Sequence, residues 1–256
     1  MALLKNLFRP GLLSNIGAHG YAQFIQIGLQ LLFVPLFAHR WGLEDYGVWL
    51  TLFTIPGYLV SIDLGFTRVS TNEMIASVAT NRRDEAVAVF QALRIGISLL
   101  CIFVLALAGL LIFVVFPDAM VFAQSAAHGQ ANLVALLLVA YGLATLQCQT
   151  VLSAFQSIGL YGPSGYVSQT IVLIEGLSAL VLVLAGETMV EVASAYLAVR
   201  LAGTLVLSWW LHREAPWLSR FAWVAVRPHL ARLARPAIAT MALPAAYAAA
   251  LQGQVV

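Results

Sequence analysis

Two side chains in this sequence sit where charge is costly. Glu175 lies in Val172-Leu173-Ile174-Glu175-Gly176-Leu177 and Arg200 in Leu197-Ala198-Val199-Arg200-Leu201-Ala202, each in the middle of a long apolar run. An ionised group at the centre of a bilayer costs at least about 2.5–3.5 kcal/mol by insertion scales, so it pairs, faces water or meets a substrate. Glu175 is the twelfth residue of its run and Arg200 the eleventh of the next. Successive runs are antiparallel, so the two residues fall at similar depth. Two chemistries fit. One is an ion pair in which each neutralises the other. The other is an Arg200 guanidinium facing a cavity and holding an anionic group through bidentate bonds, with Glu175 orienting it. Asp63 is a third ionisable group, in Ser61-Ile62-Asp63-Leu64-Gly65-Phe66. Beside Gly65 it fits a bend or a helix-packing role. His19 either titrates or is an ordinary satisfied polar residue.

Amides and hydroxyls form rows. Asn15, His19, Gln23, Gln26 and Gln30 are spaced 4, 4, 3 and 4, one face of a helix. Tyr141, Thr145, Gln149, Ser153 and Gln156 repeat the pattern, as do Thr54, Tyr58, Ser61 and Arg68. Shorter rows run through Ser164, Ser168, Glu175 and Ser178, and through Tyr196, Arg200, Thr204 and Ser208. Such rows either knit helices together, at roughly 0.6–2 kcal/mol per bond, or wall a hydrated chamber. Five rows, with residues 92–116 left blank, favour the chamber. Amides donate and accept together, so Gln23, Gln26, Gln30 and Gln149 would be polar walls of such a chamber.

The elements that must position these residues follow from composition. The chain has 256 residues, 61% hydrophobic and 9% charged, with a mean hydropathy of +0.91. Soluble domains carry about 25% charged residues, so an ordinary soluble enzyme is excluded. Disorder is excluded too, since it requires low hydrophobicity and high charge. A net charge of +2 is far from a nucleic-acid-binding surface. Cys101 and Cys148 both sit in apolar runs and suggest neither a disulfide framework nor a metal cluster. We expect no cofactor and no metal.

A hydrocarbon core about 30 Å thick takes about 20 apolar residues per helix. The runs place spans at 15–37, 46–68, 92–116, 132–154, 164–185, 190–211 and 236–256. Strand-type alternation is absent, so the expected fold is an all-α polytopic membrane helix bundle. It divides into a six-helix lobe over 1–211, an amphipathic connector over 212–235 and the start of a second lobe over 236–256. With the N-terminus in the cytoplasm, eleven of the thirteen basic residues fall inside, which satisfies the positive-inside rule. Trp41, Tyr46 and Trp49 then mark an outer interface, span three is a lipid-facing helix, and Asn72 caps a short inner helix. Residues 214–235 mix apolar and basic side chains, as a membrane-surface connector does. Pro35, Pro56 and Pro244 interrupt spans one, two and seven.

Three segments carry a resemblance. They are Pro35 with Gly42-Leu43-Glu44-Asp45-Tyr46-Gly47-Val48-Trp49; Asp63-Leu64-Gly65-Phe66 followed by Arg82, Arg83 and Glu85; and Pro244 through Leu251-Gln252-Gly253-Gln254. Together they resemble the polysaccharide-export flippases (O-antigen and exopolysaccharide type) of the superfamily that also holds the lipid II flippase and the multidrug–cation antiporters. The chain looks like the N-terminal half of such a protein. The resemblance implies two six-helix lobes around a cavity that opens alternately to each side. It also implies translocation of polyprenyl diphosphate-linked oligosaccharide from the inner to the outer leaflet of the cytoplasmic membrane, for lipopolysaccharide or exopolysaccharide synthesis. It implies sugar contacts by Gln23, Gln26, Gln30 and Gln149, a diphosphate or acidic-sugar contact by Arg200, and coupling to H+ or Na+ through Asp63 or Glu175. Membrane lipids, not nucleic acid, are the other implied partners. The alternatives are a cation-coupled multidrug exporter, a membrane-bound polysaccharide polymerase or glycosyl transferase, and an inactive fragment. The outer loops are short and hold no paired catalytic carboxylates or nucleophile constellation, so we expect no enzyme.

Overall fold

The computed structural model describes residues 10–115 and 128–219. Among these residues the secondary structure is helical throughout, and five helices are long and apolar enough to cross a membrane. The protein is an all-α membrane bundle. The seventh span and most of the connector lie outside the described residues.

The first helical stretch, Pro10–Ala79, departs from helical geometry at Gly42, with φ 82° and ψ 165°. That conformation belongs almost exclusively to glycine, because any Cβ clashes there. Seventy residues of straight helix would be about 105 Å long, over three times the hydrocarbon thickness. The chain turns back instead. The Phe37 and Trp49 rings lie 6.2 Å apart, whereas twelve residues along a straight helix separate by about 18 Å. We therefore name residues 10–41 α1 and residues 43–79 α2. The expected outer loop between spans one and two is reduced to a single glycine.

The other elements are α3 (Arg83–Leu110), extended by a π-helical turn (Leu111–Val115), α4 (His128–Ser157), α5 (Tyr161–Ala185), α6 (Met189–Glu214) and a 3-10 turn (Pro216–Ser219). Their ends have local causes. Asn81 turns the chain between α2 and α3 at φ 59°, a left-handed conformation that asparagine tolerates. Gly186 closes α5 at φ 87°, and the Glu187 amide reaches back to the Leu182 carbonyl. Thr188 and Glu191 cap the start of α6 reciprocally. Asn72 begins no helix, because α2 runs unbroken through it to Ala79.

Small residues set the packing. Gly162 meets Ser14 and Asn15, Gly17 meets the Tyr166 hydroxyl, and Gly176 meets Leu29, so α1 and α5 run parallel. A Cβ on Gly142 would stand 3.0 Å from the Pro56 backbone, which sets α2 against α4. Close approach through small residues is how helices gain contact where lipid supplies no hydrophobic drive. Beyond Ile97, α3 turns Leu99, Ile102 and Phe103 outward, as a lipid-facing helix should. Its first third differs from that expectation: residues 86–93 are buried, partly beneath the 3-10 turn, where Gln91 Nε2 donates to the Leu218 carbonyl at 3.2 Å.

Candidate functional site: a polar vestibule at the basic end

The bundle has two unlike ends. Arg68, Arg82, Arg83, Arg94 and Arg213 gather at the end where α2 and α6 finish and α1, α3 and α5 begin. This is the basic end. The opposite end carries Glu44, Asp45, Glu187 and Glu191.

At the basic end two cavities lie between α1, α2, α4 and α5. The smaller, about 180 Å³, is lined by His19, Gln149, Gln156, Tyr161, Ser164, Ser168 and Gln169, with Ala18, Ala22, Leu152 and Gly165. The larger, about 440 Å³, is lined by Thr67, Arg68, Thr71, Asn72, Gln149, Gln156 and Tyr161, with Val60 and Leu146. The two share Gln149, Gln156 and Tyr161 and form one polar vestibule. Its geometry follows from helix register. Gln149 and Gln156 are seven residues apart on α4 and stack on one face. Arg68 and Asn72 do the same on α2. Tyr161 opens α5 just after the turn at Gly159, so its hydroxyl reaches His19 Nε2 of α1 at 3.1 Å. Among the described lining residues there is one permanent cation and no carboxylate.

The midplane charges are arranged otherwise. Arg200 Nη2 donates to Glu175 Oε2 at 2.7 Å and to the Tyr141 hydroxyl at 3.1 Å, and that hydroxyl donates to the same Glu175 oxygen at 3.1 Å. The guanidinium also stands 5.3 Å from the Tyr141 ring centre. Arg200 is 5% exposed and Glu175 1% exposed. Glu175 Oε1 and Arg200 Nε have no hydrogen-bond partner among the described residues. Arg200 lines neither cavity. Of the two arrangements its depth allowed, the structure holds the buried ion pair, with Tyr141 as a third member. Three helices, α4, α5 and α6, are tied by this one cluster.

The predicted amides divide. Gln149 lines both cavities. Gln23, Gln26 and Gln30 line neither; they are exposed on the outer flank of α1, whose inward face is Ala18, Ile25 and Leu29. Asp63 lies outside the residues whose side chains are described. Most hydroxyls of the rows bond their own helix: Thr145 to the Tyr141 carbonyl, Ser153 to Thr150, Ser164 to Tyr161 and Thr204 to Arg200. They satisfy themselves locally and neither bridge helices nor demand water. Between helices, Gln147 Nε2 donates to the Ser98 hydroxyl at 3.1 Å and Tyr21 meets Thr170 at 3.3 Å.

Tyr161, Gln169, Thr67 and Thr71 are vestibule residues that the rows did not single out. Thr71 lies about one turn from Arg68, Thr67 and Gln169 adjoin Arg68 and Ser168, and nothing in the spacing pointed to Tyr161. Trp49 and Tyr46, near the reversal at Gly42, face the bundle interior: they are 4% and 9% exposed, in a cluster with Phe37 and Tyr196. Trp41 Nε1 donates to the Glu187 carbonyl at 3.1 Å and ties the α1–α2 bend to the α5–α6 turn. Among the described residues no group of His, Cys, Asp and Glu is placed to hold a metal ion. Compared with known proteins, the chain matches no family model, no curated sequence and no solved structure.

Proposed function

We propose that this protein carries lipid-linked oligosaccharide from one leaflet of a membrane to the other by alternating access, in the inner membrane of a cell that builds surface polysaccharide. The observation that carries the reading is the one-ended vestibule. Polar side chains from four helices wall a space at the basic end, while aromatic and aliphatic side chains fill the opposite half. A diphosphate with sugars cannot cross hydrocarbon unaided. A hydrated chamber between helices lets the head group travel in water while its tail stays in lipid.

In this reading the basic end faces the cytoplasm, as the distribution of arginines favours. Gln23, Gln26 and Gln30, exposed on α1, line the wall that faces a second lobe. An H+ or Na+ gradient drives the cycle, with Asp63 as the candidate carboxylate, since Glu175 is held by Arg200 and Tyr141. Arg200 supports the chamber from behind, by fixing α4 and α6 to α5, and does not enter it.

The test is reconstitution of the protein into vesicles holding a fluorescent polyprenyl diphosphate oligosaccharide. A membrane-impermeant reductant then bleaches the exposed leaflet. Transport predicts bleaching well beyond the half seen in empty vesicles. A protected fraction equal to that of empty vesicles, with and without an ion gradient, defeats the proposal.

A further inference from the structure

The vestibule is graded along its length. Arg68 stands at its wider part, exposed, with no ion pair or hydrogen bond among the described residues. Asn72 lies one turn beyond it on the same helix face. Across the space stand Gln149, Gln156 and Tyr161, all neutral, where the wide part meets the narrow one. Behind them the narrow part is small and holds His19, Ser164, Ser168 and Gln169.

This order matches one kind of ligand. An unpaired guanidinium offers a planar fork of donors that fits phosphate oxygens. No carboxylate stands among the described lining side chains to compete for it. Two amides and a phenol supply donors and acceptors together, the requirement of vicinal hydroxyls. The wider cavity, at about 440 Å³, is within the roughly 300–1,000 Å³ of small-molecule sites.

We propose that the vestibule is a two-part site for a sugar phosphate: Arg68 takes the phosphate, and Gln149, Gln156 and Tyr161 take the sugar. The inference rests on the translocation reading and deepens it. It assigns head-group recognition to the interior of this one bundle, and not to the exposed amide row of α1 or to Arg200.

The experiment is calorimetric titration of the full chain in phosphatidylcholine nanodiscs with N-acetylglucosamine 1-phosphate, N-acetylglucosamine and inorganic phosphate. The sugar phosphate binds at least tenfold more tightly than either part alone. Arg68→Gln removes that advantage and leaves free-sugar affinity within twofold. Arg68→Lys, which keeps the charge but not the fork, retains part of it. Gln149→Leu weakens sugar and sugar phosphate by a common factor and leaves phosphate unchanged. Thermal melts of each variant confirm that the fold survives. If Arg68→Gln and Arg68→Lys both leave sugar phosphate affinity unchanged, or inorganic phosphate binds as tightly as the sugar phosphate, the assignment is wrong. The same sugar on farnesyl diphosphate separates a lipid head group, which binds more tightly than the soluble compound, from a free sugar phosphate, which gains nothing. Either result keeps the ligand class. Lipid transport without this binding overturns the subsite alone. Binding without lipid transport overturns the translocation reading alone.

Discussion

Arg200 and Arg68 are the same residue type in two opposite situations. Arg200 is buried at the centre of the bundle and held by Glu175 and Tyr141. Arg68 stands in the open vestibule with no described partner. The contrast extends to their surroundings. Around Arg200 lie Phe53, Tyr141 and Tyr196, which pass ring to ring toward Trp49 and Phe37. Around Arg68 lie threonines, an asparagine and two glutamines. The first arginine ties three helices together, while the second is left without a described partner. A charge deep in a bundle is structural when its counterion is at the same depth. It is available for ligand when the neighbours are neutral and the space is wet.

The contrast can be broken experimentally, most sharply by chemical access. In a background with Cys101 and Cys148 replaced by alanine, Gln149→Cys reacts completely with a membrane-impermeant thiol reagent added from the basic side. Ala193→Cys, at a position 0% exposed, does not react from either side. Equal labelling of the two, read by mass shift, removes the distinction between the halves. Next in size is Arg200→Ala. It strands Glu175 as a buried charge and costs about 3–5 kcal/mol, read as a lowered unfolding midpoint in detergent. The paired change Glu175→Gln with Arg200→Met recovers most of that loss, since replacing both members of a buried pair is often neutral. Gly203→Ala is smaller. Its new Cβ would stand 2.6–2.8 Å from three atoms of Ile171, two of them bonded to its stiff, branched Cβ. Overpacking of this kind costs about 1–3 kcal/mol. Smallest is Arg68→Gln, which changes stability by less than about 0.5 kcal/mol because the side chain is exposed and unpaired. A large loss there, in the same melts, would show that Arg68 is structural like Arg200.

These comparisons also show where sequence reading stops. Depth was legible: counting residues from the ends of two apolar runs put Glu175 and Arg200 level, and they meet at 2.7 Å. Helix faces were legible as well, since Gln149 and Gln156 share one. The direction in which a face points was not. The row on α1 has the same helical period as the row on α4, yet His19 lines the vestibule while Gln23, Gln26 and Gln30 are exposed on the flank. A 3.6-residue period fixes angles around one helix axis and leaves the rotation of that helix in the bundle free. The aromatics posed the same problem. Trp41, Tyr46 and Trp49 have the composition of an interfacial belt, but the reversal at Gly42 folds them onto Phe37. Nothing in their spacing distinguishes a belt from a plug.

The sequence by itself determined that this chain crosses a membrane as helices, because charged residues are too few to coat a soluble surface and apolar runs of the right length supply the spans. It also determined which residues share a depth and which share a face, because helix rise and helix period are fixed by backbone geometry. Only the tertiary structure decided which arginine is consumed by a counterion and which remains available. It likewise decided which amides meet across a cavity and which are turned outward. Those outcomes depend on how each helix rotates to seat its small residues against its neighbours, as Gly176 does against Leu29 and Gly203 against Ile171, and rotation is a property of the assembled bundle.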